Sequence, residues 1–192
     1  MKRCPPLEEG RADNHSGGTS CFLEREQEMK LDLSTVKIGL CLALLCLLMN
    51  IGMGVLFGVN EDMIQAYIKA GIDAHPDLLK ASNQDGIWRW FQRAHFHAGG
   101  IGAFSLGLVI LTALTNMSDS RKQITAALLG LSIFYPLAWL TMSMVAPQIG
   151  TKAAHHYWLT EVCTYVGVGA LCLGLLSLIL GVLFAPKAAA TA

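Results

Sequence analysis

Five of the six histidines, His75, His95, His97, His155 and His156, lie in or beside the connections between long apolar runs. The pairs His95/His97 and His155/His156 fall at the depth expected of a bilayer interface. An imidazole held there is costly unless it is paired, wetted or bound to a metal. It is also the side chain that titrates near neutral pH and most often binds metals. Each histidine alone is equally served by capping a helix and meeting headgroup water. The cluster makes this end of the protein the place to look for chemistry.

On a helix turning 100° per residue, His95 and His97 are about 200° apart, so they cannot both face one ligand from above. His95 shares its face with Gly99 at i+4 and Gly102 at i+7, a strip without side chains. A flat macrocycle can lie on such a strip with its iron on the imidazole. The same glycines equally permit close packing of another helix, with His95 bonded to a neighbour. The His97 face carries Gly100, Ile101 and Phe104, and a hydrogen bond to a loop carbonyl is its expected use. Further on, Tyr135, Trp139 and Met142 form a stripe at i, i+4 and i+7, with Pro136 placed to kink the helix and free a carbonyl. A stripe at this spacing is usually packing, but the polar ends of Tyr and Trp need partners in lipid, which favours a pocket. Glu161, near His155 and His156, either pairs with a histidine or stands solvated at the positive end of a helix.

The elements that carry these residues are read from hydropathy. Of 192 residues 53% are apolar and 15% charged, the net charge is zero and the mean hydropathy is +0.47. This excludes a disordered or nucleic-acid-binding chain and argues against an ordinary soluble domain. Uncharged runs at about 38–60, 94–116, 123–146 and 162–185 each match the roughly 20 residues needed to cross a ~30 Å hydrocarbon layer. The expected fold is all-α: a four-helix transmembrane bundle with a short outer-side helix in the first loop, where Met63, Ile64, Tyr67 and Ile68 keep helical spacing. Residues 1–28 read as a flexible cytoplasmic tail, 29–187 as the membrane domain and 188–192 as a small-residue tail. Met29 reads as an alternative start, and the first apolar segment as retained rather than as a signal peptide.

Nine of the 14 Lys and Arg residues flank one side of the spans. Both termini are therefore expected in the cytoplasm, in a bacterial inner membrane. Trp88, Trp90, Phe91, Tyr157 and Trp158 mark the outer interface. Cys4 and Cys21 fall in the N-terminal tail, Cys41, Cys46, Cys163 and Cys172 inside spans, and no structural disulfide is expected.

The Arg93-Ala94-His95 start of the second span, Gly102 seven residues after that histidine, Ala103-Phe104, the Tyr135–Trp139 stretch, and Trp158 with Glu161 resemble the small four-span membrane isomerases. These are the hydroxylaminobenzene mutases and styrene oxide isomerases, and the resemblance covers mainly residues 88–185. It implies a homotrimer with ferric haem b between subunits, the iron held by the histidine that matches His95. It further implies that the iron acts as a Lewis acid on an epoxide oxygen, so that ring opening and a hydride shift give an aldehyde. The family's phenolic residue corresponds most nearly to Tyr135, a donor to the developing alkoxide. Two departures stand out: Ile101 replaces the asparagine usual before the glycine, and the third span lacks the family's Asp/Asn positions.

The expected function is a haem-dependent membrane isomerase for a small hydrophobic epoxide or a related hydroxylamine. Tyr135 and Trp139 are the expected catalytic residues, His95 the metal ligand, and Gly99 and Gly102 the cofactor's support. The alternatives are a non-catalytic haem- or copper-binding membrane protein, such as a sensor, carrier or oxidase-assembly subunit, and a subunit whose spans only pack.

Overall fold

The computed structural model describes residues 33–184. The expected tails, Met29, Cys4, Cys21 and Lys187 lie outside the described residues. Every regular element among the described residues is helical.

Helix α1 (Lys37–Ala74) continues past the apolar run because its second part keeps an apolar face: Ile64, Ile68 and Ile72, spaced by four, are all buried. The two parts meet at Asn60, whose φ of −132° and ψ of 33° leave the helical region. The helix expected in the first loop is thus the far arm of α1. A short 3-10 turn, Ala81–Asn83, leads into α2 (Gln84–Leu114), where the Asn83 side-chain oxygen accepts from the Lys80 backbone N–H at 2.8 Å. The 31 residues of α2 span about 46 Å at 1.5 Å each, more than the ~30 Å hydrocarbon layer.

The third span has two parts, α3 (Asp119–Gly130) and α4 (Phe134–Ile149), joined by the 3-10 turn Leu131–Ile133. This irregularity precedes Pro136, which has no N–H to return to the Ser132 carbonyl. At Gly150 φ is +86°, a conformation that disfavours any side chain, and it lets α4 turn directly into α5 (Thr151–His155). Helix α6 (Trp158–Leu183) closes the bundle.

Four helical stretches, Ser34–Ala74, Ala81–Leu114, Asp119–Ile149 and Thr151–Leu183, are long and apolar enough to cross a membrane. The chain is an all-α, four-helix integral membrane protein. Since lipid is as apolar as leucine, such helices are held by close contact and interhelical hydrogen bonds. A side chain at Gly39 would overlap Ala126, and one at Gly167 would overlap the Tyr135 backbone. The Ser105 and Ser132 hydroxyls bond across at 2.8 Å, those of Thr125 and Ser177 at 2.7 Å, and the Cys46 thiol donates to the Ala98 carbonyl at 3.3 Å. The described cysteines, Cys41, Cys46, Cys163 and Cys172, are free thiols. At the tryptophan-rich end, Ile68, Ile87, Phe91 and Met142 belong to one buried cluster. Here the Tyr67 hydroxyl donates to the Met144 carbonyl at 2.6 Å. These contacts set the rotation of α2 between α1 and α4, and so decide where its two histidines point.

Candidate functional site

His95 turns toward α1. Its Nδ1 lies 3.0 Å from the Asn50 backbone oxygen. A carbonyl only accepts, so Nδ1 carries the proton and, in the neutral ring, Nε2 keeps a free lone pair. The ring is half-buried and lies edge-on to Phe57 with centroids 5.6 Å apart. Its place on α1 exists because residue 54 is glycine: a methyl group there would come within 3.1 Å of the imidazole Cε1.

The strip below His95 is not open. A Cβ on Gly99 would stand 2.8 Å from the Asn50 side-chain oxygen, and one on Gly102 would stand 3.0 Å from the Leu47 side chain. Helix α1 covers both positions, so within one chain these glycines serve helix packing and leave no bed for a flat macrocycle. The bare face of α2 is rotated away from them. A methyl group placed on Gly100 or Gly107 would meet nothing within 4 Å, Ala103 between them is exposed, and exposed Phe96 and Phe104 border the strip. By helical angle, His95 and His97 lie on either edge of this open face.

His97 turns the other way, toward α4, as its spacing from His95 requires. Its Nδ1 donates to the Arg93 carbonyl of its own helix at 2.7 Å, rather than to a loop. The ring stacks on Trp139 at 5.7 Å and meets Tyr135 edge-on at 5.0 Å. The Arg93 guanidinium covers the Trp139 ring at 5.0 Å, a cation–π contact. The expected catalytic pair Tyr135 and Trp139 therefore neighbours His97, and His95 belongs to the opposite side of α2.

Beside this aromatic group is a cavity of about 420 Å³ between α4 and the start of α6. Tyr135, Ala138, Trp139 and Met142 line it from α4, so the stripe is one wall of a pocket as well as packing. Thr160, Glu161, Thr164 and Tyr165 line it from α6, and His155 and His156 close the end. His156 Nδ1 and the Glu161 carboxylate are 3.1 Å apart, the pairing that the sequence left open, and both are substantially exposed. His155 packs edge-on against Trp90 with centroids 4.9 Å apart. Among the described residues, Thr160 Oγ1 is the buried side-chain polar atom without a hydrogen-bond partner.

Sequence reasoning missed Asn50 and Thr160. Asn50 had a signal, since it is an amide in the middle of the uncharged run from Ile38 to Asn60. Thr160 had none, because a threonine in a helix usually bonds back to its own backbone, as Thr164 does to the Thr160 carbonyl at 2.8 Å.

Comparisons of the chain with protein-family models, with curated proteins and with solved structures gave no match.

Proposed function

We propose that this protein is a membrane isomerase that rearranges a small hydrophobic epoxide to an aldehyde, or a related hydroxylamine, with ferric haem b held by His95. The observation that carries the reading is the His95 imidazole, half-buried in an apolar helix pair with Nδ1–H fixed on the Asn50 carbonyl and Nε2 left with its lone pair. Metal-binding histidines are typically oriented in this way, by a backbone acceptor on the other ring nitrogen. Among the described residues no three His, Cys, Asp or Glu side chains gather around a metal position. A porphyrin brings four nitrogens of its own and needs one protein imidazole, which His95 would supply.

The fit is partial. Gly99 and Gly102 are covered by α1, and the room for a macrocycle is the open face with Gly100, Ala103 and Gly107. That face is also the natural contact for a second copy, in keeping with the homotrimer that the family resemblance implies. Bound haem would supply a Lewis acid for the substrate oxygen. His95 would hold it, while the Tyr135 hydroxyl, beside the cavity, would donate to the negative charge developing on that oxygen. Since His95 and Tyr135 face opposite sides of α2, the two act together only when the His95 face of one copy meets the pocket of another. The proposed topology has both termini in the cytoplasm of a bacterial inner membrane, with the tryptophan-rich end outside.

The same separation favours a second reading, a non-catalytic haem protein, because one chain does not bring ligand and phenol together. Purified protein is expected to show a Soret band near 400 nm that His95→Ala abolishes and His97→Ala largely keeps. The reverse pattern refutes His95 as ligand. Aldehyde formation from an aryl epoxide, lost in Tyr135→Phe with the Soret band intact, separates the isomerase from the non-catalytic reading.

A further inference from the structure

The cavity between α4 and α6 has a composition that the isomerase proposal does not use in full. Tyr135, Thr160 and Tyr165 bring hydroxyls to its wall, and among the described residues Thr160 Oγ1 is buried without a hydrogen-bond partner. For the two tyrosines water can serve. Thr160 is only 4% exposed and its Oγ1 is shielded from solvent, so a missing partner there carries a desolvation cost that a ligand oxygen would relieve.

The rest of the wall restricts what such a ligand can be. Trp139, Tyr135 and Tyr165 present aromatic surface, and Ala138 and Met142, both buried, form an apolar base. The Glu161 carboxylate disfavours an anion. The Arg93 guanidinium already on Trp139 disfavours a second cation there. A neutral ring suits both constraints. The volume of about 420 Å³ lies in the range of small-molecule pockets and accommodates two fused rings. Tyr165, 73% exposed on the flank of α6, places the opening where a molecule dissolved in the bilayer can enter from the side.

We infer that this cavity binds an uncharged, lipid-soluble ring compound through a carbonyl oxygen, a quinone-like headgroup, with Thr160 as the buried donor and Trp139 as part of its aromatic wall. The inference concerns binding alone and stands apart from the His95 site, since the cavity needs no residue from the α1 side of α2.

The test uses full-length protein in phosphatidylcholine nanodiscs, titrated with 2-methyl-1,4-naphthoquinone while tryptophan fluorescence is followed. Quenching is expected to saturate, and Trp139→Phe is expected to remove most of its saturable part. Thr160→Val, nearly equal in shape, should weaken binding roughly three- to tenfold, the worth of one hydrogen bond. Thr160→Ser should restore it, and Ala138→Phe should block it by filling the base. Linear quenching that only tracks partition into lipid overturns the inference, as does an unchanged midpoint in Thr160→Val. The Soret band of the same samples separates the two proposals: a band that persists in His95→Ala beside saturable quenching removes only the haem ligand assignment, and a band lost in His95→Ala beside purely linear quenching removes only the cavity.

Discussion

Replacing Gly102 and Gly100 one at a time by alanine compares a covered face of α2 with an open one. Both substitutions gain the same intrinsic helix preference, up to about 1 kcal/mol for Gly to Ala, so their difference isolates the contact each new methyl makes. At Gly102 the methyl meets the Leu47 side chain at 3.0 Å and the Leu47 backbone nitrogen at 3.2 Å. The side chain can swing, but the backbone cannot, so α1 and α2 must separate by a few tenths of an ångström. Overpacking of this kind costs about 1–3 kcal/mol. At Gly100 nothing lies within 4 Å. Gly102→Ala should therefore be less stable than Gly100→Ala by about 1–3 kcal/mol, roughly 5- to 150-fold in the unfolding equilibrium. Equilibrium unfolding by detergent titration in bicelles, followed by tryptophan fluorescence, measures the difference. Equal stabilities would refute the placement of α1 over Gly102 and return that strip to the cofactor.

Two further outcomes are expected. A double-mutant cycle of Ser105→Ala and Ser132→Ala should give a coupling of about 0.6 kcal/mol, the typical interhelical value in membranes, for the 2.8 Å bond between them; additivity of the two changes would show that the bond contributes nothing. In the proposed topology, a cysteine placed at position 83 should react with an impermeant maleimide added outside intact cells and one at position 120 should not, and the opposite pattern inverts the orientation.

Much of the architecture is legible in the chain itself, because crossing a bilayer demands a countable length of uncharged residues. The same holds for the opposed directions of His95 and His97, which follow from two residues on one helix. Local chemistry also explains the irregular third span, where Pro136 removes a backbone donor just after the Leu131–Ile133 turn. The extension of α1 past Asn60 was readable as a helix but not as part of the first span, since its joining depends on the buried contacts of Ile64, Ile68 and Ile72.

What the tertiary structure alone decided is which neighbour each face of α2 meets. Glycines at i+4 and i+7 from a histidine describe a bare strip, and nothing in their spacing says whether a helix or a ligand will lie on it. The packing places Asn50 and Leu47 there and leaves Gly100 and Gly107 open. It likewise joins His97 rather than His95 to Tyr135 and Trp139. It also sets Thr160 into the wall opposite that stripe without a partner of its own. Periodicity fixes directions within one helix; the rotation of each helix against the others comes from contacts between residues far apart in the chain.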